Sequence, residues 1–248
     1  MKTIYILWLR QMKRFSRSGI RIVMSVVQPL VYLLALGFGL NKVFEQSGRG
    51  HYIDFIVPGI VAQTILFNAI FWGVGIMWDK QFGFLKETLV APVSRTNIML
   101  GNALGGATIA VIQGVMLLII SIIFGFRPYS LVLLVITFVV MSMLALSMVS
   151  FSAGIAAIMN DMQGFMAVNN LLVIPLFFLS SALYPLDSVP TAMKIIASLN
   201  PLTYAVDALR MSLIHQSHFP LWQDFTVLGA TLVLLFSFGV YRFKRIQA

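Results

Sequence analysis

Residues 131–159 read LVLLVITFVVMSMLALSMVSFSAGIAAIM, an unbroken run without Asp, Glu, Lys, Arg or His. A helix needs about 20 apolar residues to cross a hydrocarbon layer of roughly 30 Å, and this run exceeds that length. Its apolar residues do not alternate with polar ones, as they would in the strands of a membrane barrel. The backbone groups must therefore be satisfied within the segment, as a helix. The excess length predicts a helix that tilts, breaks or extends into the headgroups.

The same pattern recurs on both sides. Uncharged stretches run from Ile22 to Leu40, Phe55 to Trp78, Ile98 to Phe126, Phe165 to Leu186 and Phe225 to Tyr241. In a chain of 248 residues, 59% hydrophobic and 10% charged, this predicts an all-α polytopic membrane protein, one domain over 1–248 with six transmembrane helices. The last stretch is short, but Trp222 at one end and Tyr241 with Arg242 at the other are interfacial anchors.

The net charge of +9 raises the question of nucleic acid, and its placement answers it. Lys2, Arg10, Lys13, Arg14, Arg17 and Arg21 precede the first stretch, Lys80, Lys86 and Arg95 follow the second, and Arg242, Lys244 and Arg245 end the chain. Only Lys42, Arg49, Arg127, Lys194 and Arg210 fall on the opposite side. The positive-inside rule places both termini in the cytoplasm, in a cell (inner) membrane, and the charge reads as topology with no nucleic-acid partner. The chain has no cysteine, which excludes disulfides and Cys-ligated metal.

Residues 1–20 place Ile4, Leu7, Trp8, Met12 and Phe15 on one helical face and Arg10, Lys13, Arg14 and Arg17 on the other. This predicts an amphipathic interfacial helix along the cytoplasmic leaflet. A cleaved signal peptide fits less well, because the apolar run that follows is long and contains Gln28-Pro29. Residues 187–224 are too apolar for a solvated loop. Pro185 and Pro190, then Asn200-Pro201, punctuate two short helices, expected to be re-entrant or to lie on the outer surface. In the second, Tyr204 lies near Asp207 and Arg210, which are three apart and positioned to pair.

The chemistry-bearing residues exclude more than they assign. The six stretches hold no carboxylate or histidine for a proton relay. Gln28, Gln63, Asn68, Gln113, Asn169 and Asn170 are candidates for sodium coordination or, more simply, for hydrogen bonds between helices. There is no zinc motif, no nucleophile elbow and no phosphate-binding loop, so no catalytic residue, metal site or cofactor is assigned to this chain. His215 and His218, in HQSH, read as a wet outer loop. Gly101 and Gly105, followed by Gly106, form a small-residue face suited to close helix packing. No residue is assigned to substrate binding.

The segment between the second and third stretches is the most organised polar element. Phe82, Leu85 and Leu89 share a helical side, Lys86 and Glu87 project elsewhere, Pro92 stops the turn, and Thr96 is placed to cap the next helix. A compact cytoplasmic helix with a defined apolar face suits docking to a soluble partner.

The run from Asp79 to Arg95, DKQFGFLKETLVAPVSR, resembles the cytoplasmic loop of ABC type-2 permeases. FFLSSALYPLDSVP at 177–190 and LNPLTYAVDALR at 199–210 are similar to that family's second signature. QPLVYLLALGFG from Gln28 and FIVPG from Phe55 resemble the branch that includes drug-resistance, nodulation-factor and polysaccharide export permeases. The resemblance covers essentially the whole chain. It implies the membrane subunit of an ATP-driven exporter, working as a homodimer of the permease with a separate ABC ATPase that carries the ATP and Mg. It makes residues 1–20 a connecting helix and 80–92 a coupling helix seated on the ATPase through Phe82, Leu85, Lys86, Glu87, Leu89, Pro92 and Arg95. Glu87 matches the family's motif glutamate, and Lys86 departs from the apolar or small residue common there. Residues 187–214 become an outer gate containing Pro190, Asn200, Pro201, Tyr204, Asp207 and Arg210, with Pro185 at its edge. The implied cargo is amphipathic: a drug, a lipid or a glycan. Read from residues alone, the alternative is a passive or sodium-coupled transporter or channel that needs no ATPase.

Overall fold

The computed structural model describes residues 2–46, 51–84 and 93–245, and every regular element among them is helical. In chain order these are α1 (Lys2–Ser16), α2 (Gly19–Gly39), α3 (Asn41–Gln46), α4 (Tyr52–Phe71), α5 (Gly73–Gln81), α6 (Arg95–Ile123) and α7 (Leu134–Ile158). There follow α8 (Met162–Phe178), a 3-10 turn at Leu186–Ser188, α9 (Thr191–Leu199), α10 (Pro201–Ile214) and α11 (Leu221–Lys244). Among the described residues five helical segments are long and apolar enough to cross a membrane: one within α2, α4 running on into α5 as Tyr52–Gln81, then α6, α7 and α11.

The fifth predicted stretch behaves differently. α8 has 17 residues and stops at Phe178, which at 1.5 Å per residue spans only about 25 Å. Asp161 caps its start by accepting from the backbone N–H groups of Gln163 and Gly164. Past its end the chain unwinds. Ser180 Oγ donates to Phe177 O, and Ser181 takes a left-handed φ of 59°. The residues from Leu179 to Pro185 continue as irregular backbone, whose polar groups need partners wherever protein covers them. Ser180, Ser181 and Ala182 are indeed buried.

α4 is the central post. Fifteen of its 20 residues are buried, so it is apolar on all sides because neighbours surround it on all sides. It touches α2, α6, α7, α8 and α10. The flanking helices are one-sided: α2 leaves Met24, Val31 and Phe38 outward, and α11 leaves Val233 and Leu234.

α1 packs lengthwise on the first half of α6, and the small-residue face explains how. A Cβ at Gly101 would lie 2.8 Å from Leu7 Cβ, and one at Gly105 would lie 2.9 Å from the Gln11 side chain. Gln11 Nε2 donates to Asn102 Oδ1 at 2.8 Å, and Trp8 Nε1 donates to Thr108 Oγ1 at 3.1 Å. The buried stripe is therefore Leu7, Gln11 and Phe15, with a polar residue in its middle, while Tyr5 and Ile6 face outward. The start of α6 also differs from expectation: Ser94 is the N-cap, accepting from Asn97 N–H, and Thr96 lies inside the helix.

The two ends of the bundle are distinct. At one, Arg10 approaches Asp79 at 3.6 Å, Lys80 Nζ donates to Met159 O at 2.6 Å, and Arg95 Nη1 donates to Lys244 O at 2.8 Å. These contacts bring α1, the end of α5, the start of α6 and the end of α11 together. At the other end lie Glu45 and His51, 2.7 Å apart, and residues 179–220. There Tyr129 N–H donates to Leu213 O at 2.8 Å.

Candidate functional site

α10 is the most buried of the short helices, with Leu202 through Arg210 all inside the protein. Asn200 caps it by accepting from Leu202 N–H at 3.0 Å and donates to Leu176 O at 2.7 Å. Pro201 occupies the first turn, where its missing N–H costs nothing. Tyr204 OH donates to Ser198 O at 2.8 Å, tying α10 back to α9. α9 is more exposed and turns Ile195 and Leu199 outward. Pro190 precedes α9, and Pro185 O accepts from Ser188 N–H in the 3-10 turn.

Asp207 and Arg210 do not pair with each other. The Asp207 carboxylate accepts from His218 N–H at 2.9 Å and from Phe219 N–H at 2.8 Å, holding the connection into α11. Arg210 Nη2 donates to Ser181 O at 2.7 Å and Ala182 O at 3.3 Å, and its guanidinium lies 3.9 Å from the centre of the Phe55 ring. Burial lowers the guanidinium to about 10, with the nearby Asp207 carboxylate opposing the shift, so it stays charged at neutral pH. Each charge thus satisfies a different stretch of irregular backbone. Tyr52 OH adds a third tie, donating to Leu183 O at 2.8 Å. The segment also needs Gly59 beneath it, since a Cβ there would run into the Ala182 carbonyl.

Two carboxylates lie in first turns of helices, Asp54 partly buried and Asp224 fully so. Asp54 belongs to the first turn of α4. Asp224 belongs to the first turn of α11, where it is fully buried and neither carboxylate oxygen has a hydrogen-bond partner. The two histidines of HQSH diverge: His215 stacks on Tyr129, and His218 Nδ1 faces Asp187 at 3.4 Å. Among the described residues no three His, Asp or Glu side chains gather as a metal site.

At the opposite end, Phe82 is exposed and stacks on Trp78 with ring centres 5.2 Å apart, and Arg95 joins α6 to α11. Leu85, Lys86, Glu87, Leu89 and Pro92 lie outside the described residues.

Between the ends lies a feature for which no residue was assigned from sequence. A cavity of about 560 Å³ is walled by α1, α4, α5 and α6. A smaller one, of about 120 Å³, lies between α2 and α4 and shares Asn68 and Phe71 with the first. The larger is in the size range of small-molecule sites. Arg14 and Asp79 line it toward the end where α1 meets α5, and Asn68, Asn102 and Gln113 line it further in. Gln28, Gln63 and Thr64 line the smaller lobe. Four of the six amides singled out from sequence therefore line two adjoining cavities, a two-part chamber with Asn68 and Phe71 as shared wall: Gln113 in the larger part, Gln28 and Gln63 in the smaller, Asn68 in both. Asn169 is buried on α8 and Asn170 is exposed, and neither lines it. Gln11 and Asn102 were missed. Gln11 sits within the buried stripe of α1 and Asn102 beside Gly101 in the glycine stripe of α6, and their polarity gives no sign of burial until α1 packs on α6 and the two bond to each other.

Chain-wide similarity points the same way as these features. The family model for ABC-2 type transporters matches residues 2–214. The ycf38 transport permease of Cyanophora paradoxa is 29% identical over 98% of this chain and 88% of its own length. The inner membrane transport permease YadH of Escherichia coli K12 is 26% identical, covering 93% of this chain and 90% of its own. Nodulation protein J of Rhizobium leguminosarum bv. viciae is 23% identical over 84% of this chain and 81% of its own.

Proposed function

This chain belongs to the ABC-2 type transporter family and is the membrane permease component of such a transporter, and we propose that it exports an amphipathic substrate, driven by a separate ABC ATPase. The observation that carries the reading is the amide-lined chamber. It reaches from the end rich in Lys and Arg into the middle of the bundle. That is where cargo arriving from the cytoplasm or the inner leaflet would be taken up.

In this reading both termini and residues 80–95 are cytoplasmic, and α8 with residues 179–186 serves as the sixth crossing. The segment at 80–92 seats on the ATPase, and the permease works as a dimer. α10 supports an outer closure: it is packed into the apolar core from Leu202 to Leu213 and is tied through Asp207 and Arg210 to irregular backbone at both of its sides, so its movement would carry those segments with it. ATP binding on the partner would then be felt through α5 and α6, which flank residues 85–92 and wall the chamber. Alternating access follows if that motion opens the chamber toward α10.

The test is reconstitution of the permease in liposomes with and without the ATPase encoded or purified with it. Export of a fluorescent amphipath should require both proteins and ATP. Glu87→Ala should retain membrane insertion and ATP turnover while reducing transport about tenfold or more, the signature of lost coupling. Transport at the full rate by the permease alone would overturn the proposal and favour a channel or an ion-coupled carrier.

A further inference from the structure

We infer that the chamber selects an uncharged, hydroxyl-bearing head group whose apolar tail leaves sideways over α2. The inference rests on the chamber being where cargo is taken up, and it concerns what kind of head group fits.

Charge comes first. The two ionic side chains in the wall, Arg14 and Asp79, are at the α1–α5 end, and Asp79 is already approached by Arg10 at 3.6 Å. Further in, the polar wall is neutral: Gln63, Thr64, Asn68, Asn102 and Gln113. An ionic head group moved past the mouth would lose its hydration and meet no opposite charge, which is costly inside a membrane protein.

Hydrogen bonding comes second. Gln63 and Gln113 are 5% and 2% exposed as residues, and each has a buried side-chain carbonyl oxygen without a partner. Such acceptors are expensive to leave unsatisfied. The terminal amide torsion of glutamine is broad, so a small rotation presents either oxygen to the chamber. A ligand that donates O–H or N–H satisfies them, and a purely apolar ligand does not. By contrast Asn68 Nδ2 is committed to Thr64 O at 2.8 Å, and Asn102 Oδ1 is committed to Gln11. The unmet demand is therefore concentrated on two acceptors, one in each lobe.

Shape comes third. Phe15, Phe71 and Trp72 supply flat apolar walls beside these amides, the mixture that suits a ring with an apolar face and a hydroxylated edge. The smaller lobe is bounded by Ser25, Gln28 and Pro29 of α2. The adjoining α2 surface carries Met24, Val27 and Val31 outward, 64%, 42% and 58% exposed. The smaller lobe itself is lined mostly by Ser25, Gln28, Gln63, Thr64 and Asn68, so the head group fills it and the tail starts at the apolar outer face of α2.

The experiment reads binding, with no nucleotide or ATPase, so its failure is separate from failure of ATP-driven export. The full chain in phosphatidylcholine nanodiscs is exposed to dodecyl glucoside carrying a diazirine on the sugar, then irradiated and mapped by mass spectrometry. Competitors are unlabelled dodecyl glucoside, dodecyl phosphate and dodecyltrimethylammonium. Labelling should concentrate on residues 63–79 and 102–113. The neutral amphipath should displace it at about one tenth the concentration needed of either charged one. Gln63→Leu with Gln113→Leu should reduce labelling about fivefold to tenfold. Gln113→Asn, which keeps the amide, should retain most of it and guards against a folding defect. Equal competition by all three amphipaths, preference for a charged one, or labelling spread over the outward faces of α2 and α11 would each overturn the inference.

Discussion

Arg210 carries more structural consequence than its place in the sequence suggests. A buried guanidinium is costly unless its donors are used, and here Nη2 holds the carbonyls of Ser181 and Ala182 while the face lies on Phe55 and Nε is left without a partner. Arg210→Leu should therefore cost more than the lost bonds, because it leaves two buried carbonyls without donors. We predict a loss of about 3 kcal/mol, seen as a lower unfolding midpoint in detergent, whereas Arg127→Leu on the exposed loop should leave the midpoint unchanged. An unchanged midpoint for Arg210→Leu would show that segment 179–184 is held by Tyr52 and Gly59 alone. The spacing of Asp207 and Arg210 suggested a pair three residues apart. It could not reveal that each side chain would be drawn off by backbone from a different segment, because irregular segments create hydrogen-bond demands that spacing does not encode.

Among the elements, α1 and α6 show a pattern read from both sides without either naming the other. The glycines at 101 and 105 signalled a close approach, and the amphipathic stripe of α1 signalled a surface that needs covering. Their meeting comes from shape: a face without Cβ atoms admits Leu7 and Gln11, and the buried Gln11–Asn102 bond sets the register. Gly105→Leu should lift α1 from α6. The absence of native cysteine makes this directly measurable, since Trp8→Cys with Thr108→Cys should cross-link efficiently and adding Gly105→Leu should reduce the yield about fivefold or more. Undiminished cross-linking would mean that α1 is held by its neighbours in α2 and α5 instead. The end of α8 was less legible. Its apolar composition continues to Leu186, and hydropathy registers environment without distinguishing helix from buried irregular backbone.

For the whole molecule, the contacts at the two ends make topology testable with single cysteines. Ser94 shares its end with the α11 terminus through Arg95 and Lys244, and Ser188 lies in the 3-10 turn beside the α9–α10 end. Cysteines at Ser94 and Ser188 should label from opposite sides of the membrane with an impermeant maleimide, Ser94 from the cytoplasmic side. Labelling of both from one side would require α8 with residues 179–186 to return without crossing. The chain's apolar runs, the distribution of its basic residues and its two signature segments determined by themselves that this is a helical membrane permease, because transfer into lipid and the placement of charge are local properties. Tertiary structure alone decided which amides line the two adjoining cavities, which carbonyls Arg210 serves and where α8 ends. Those depend on the rotation of each helix and on the partner opposite each polar atom, and they arise only when distant segments are packed together.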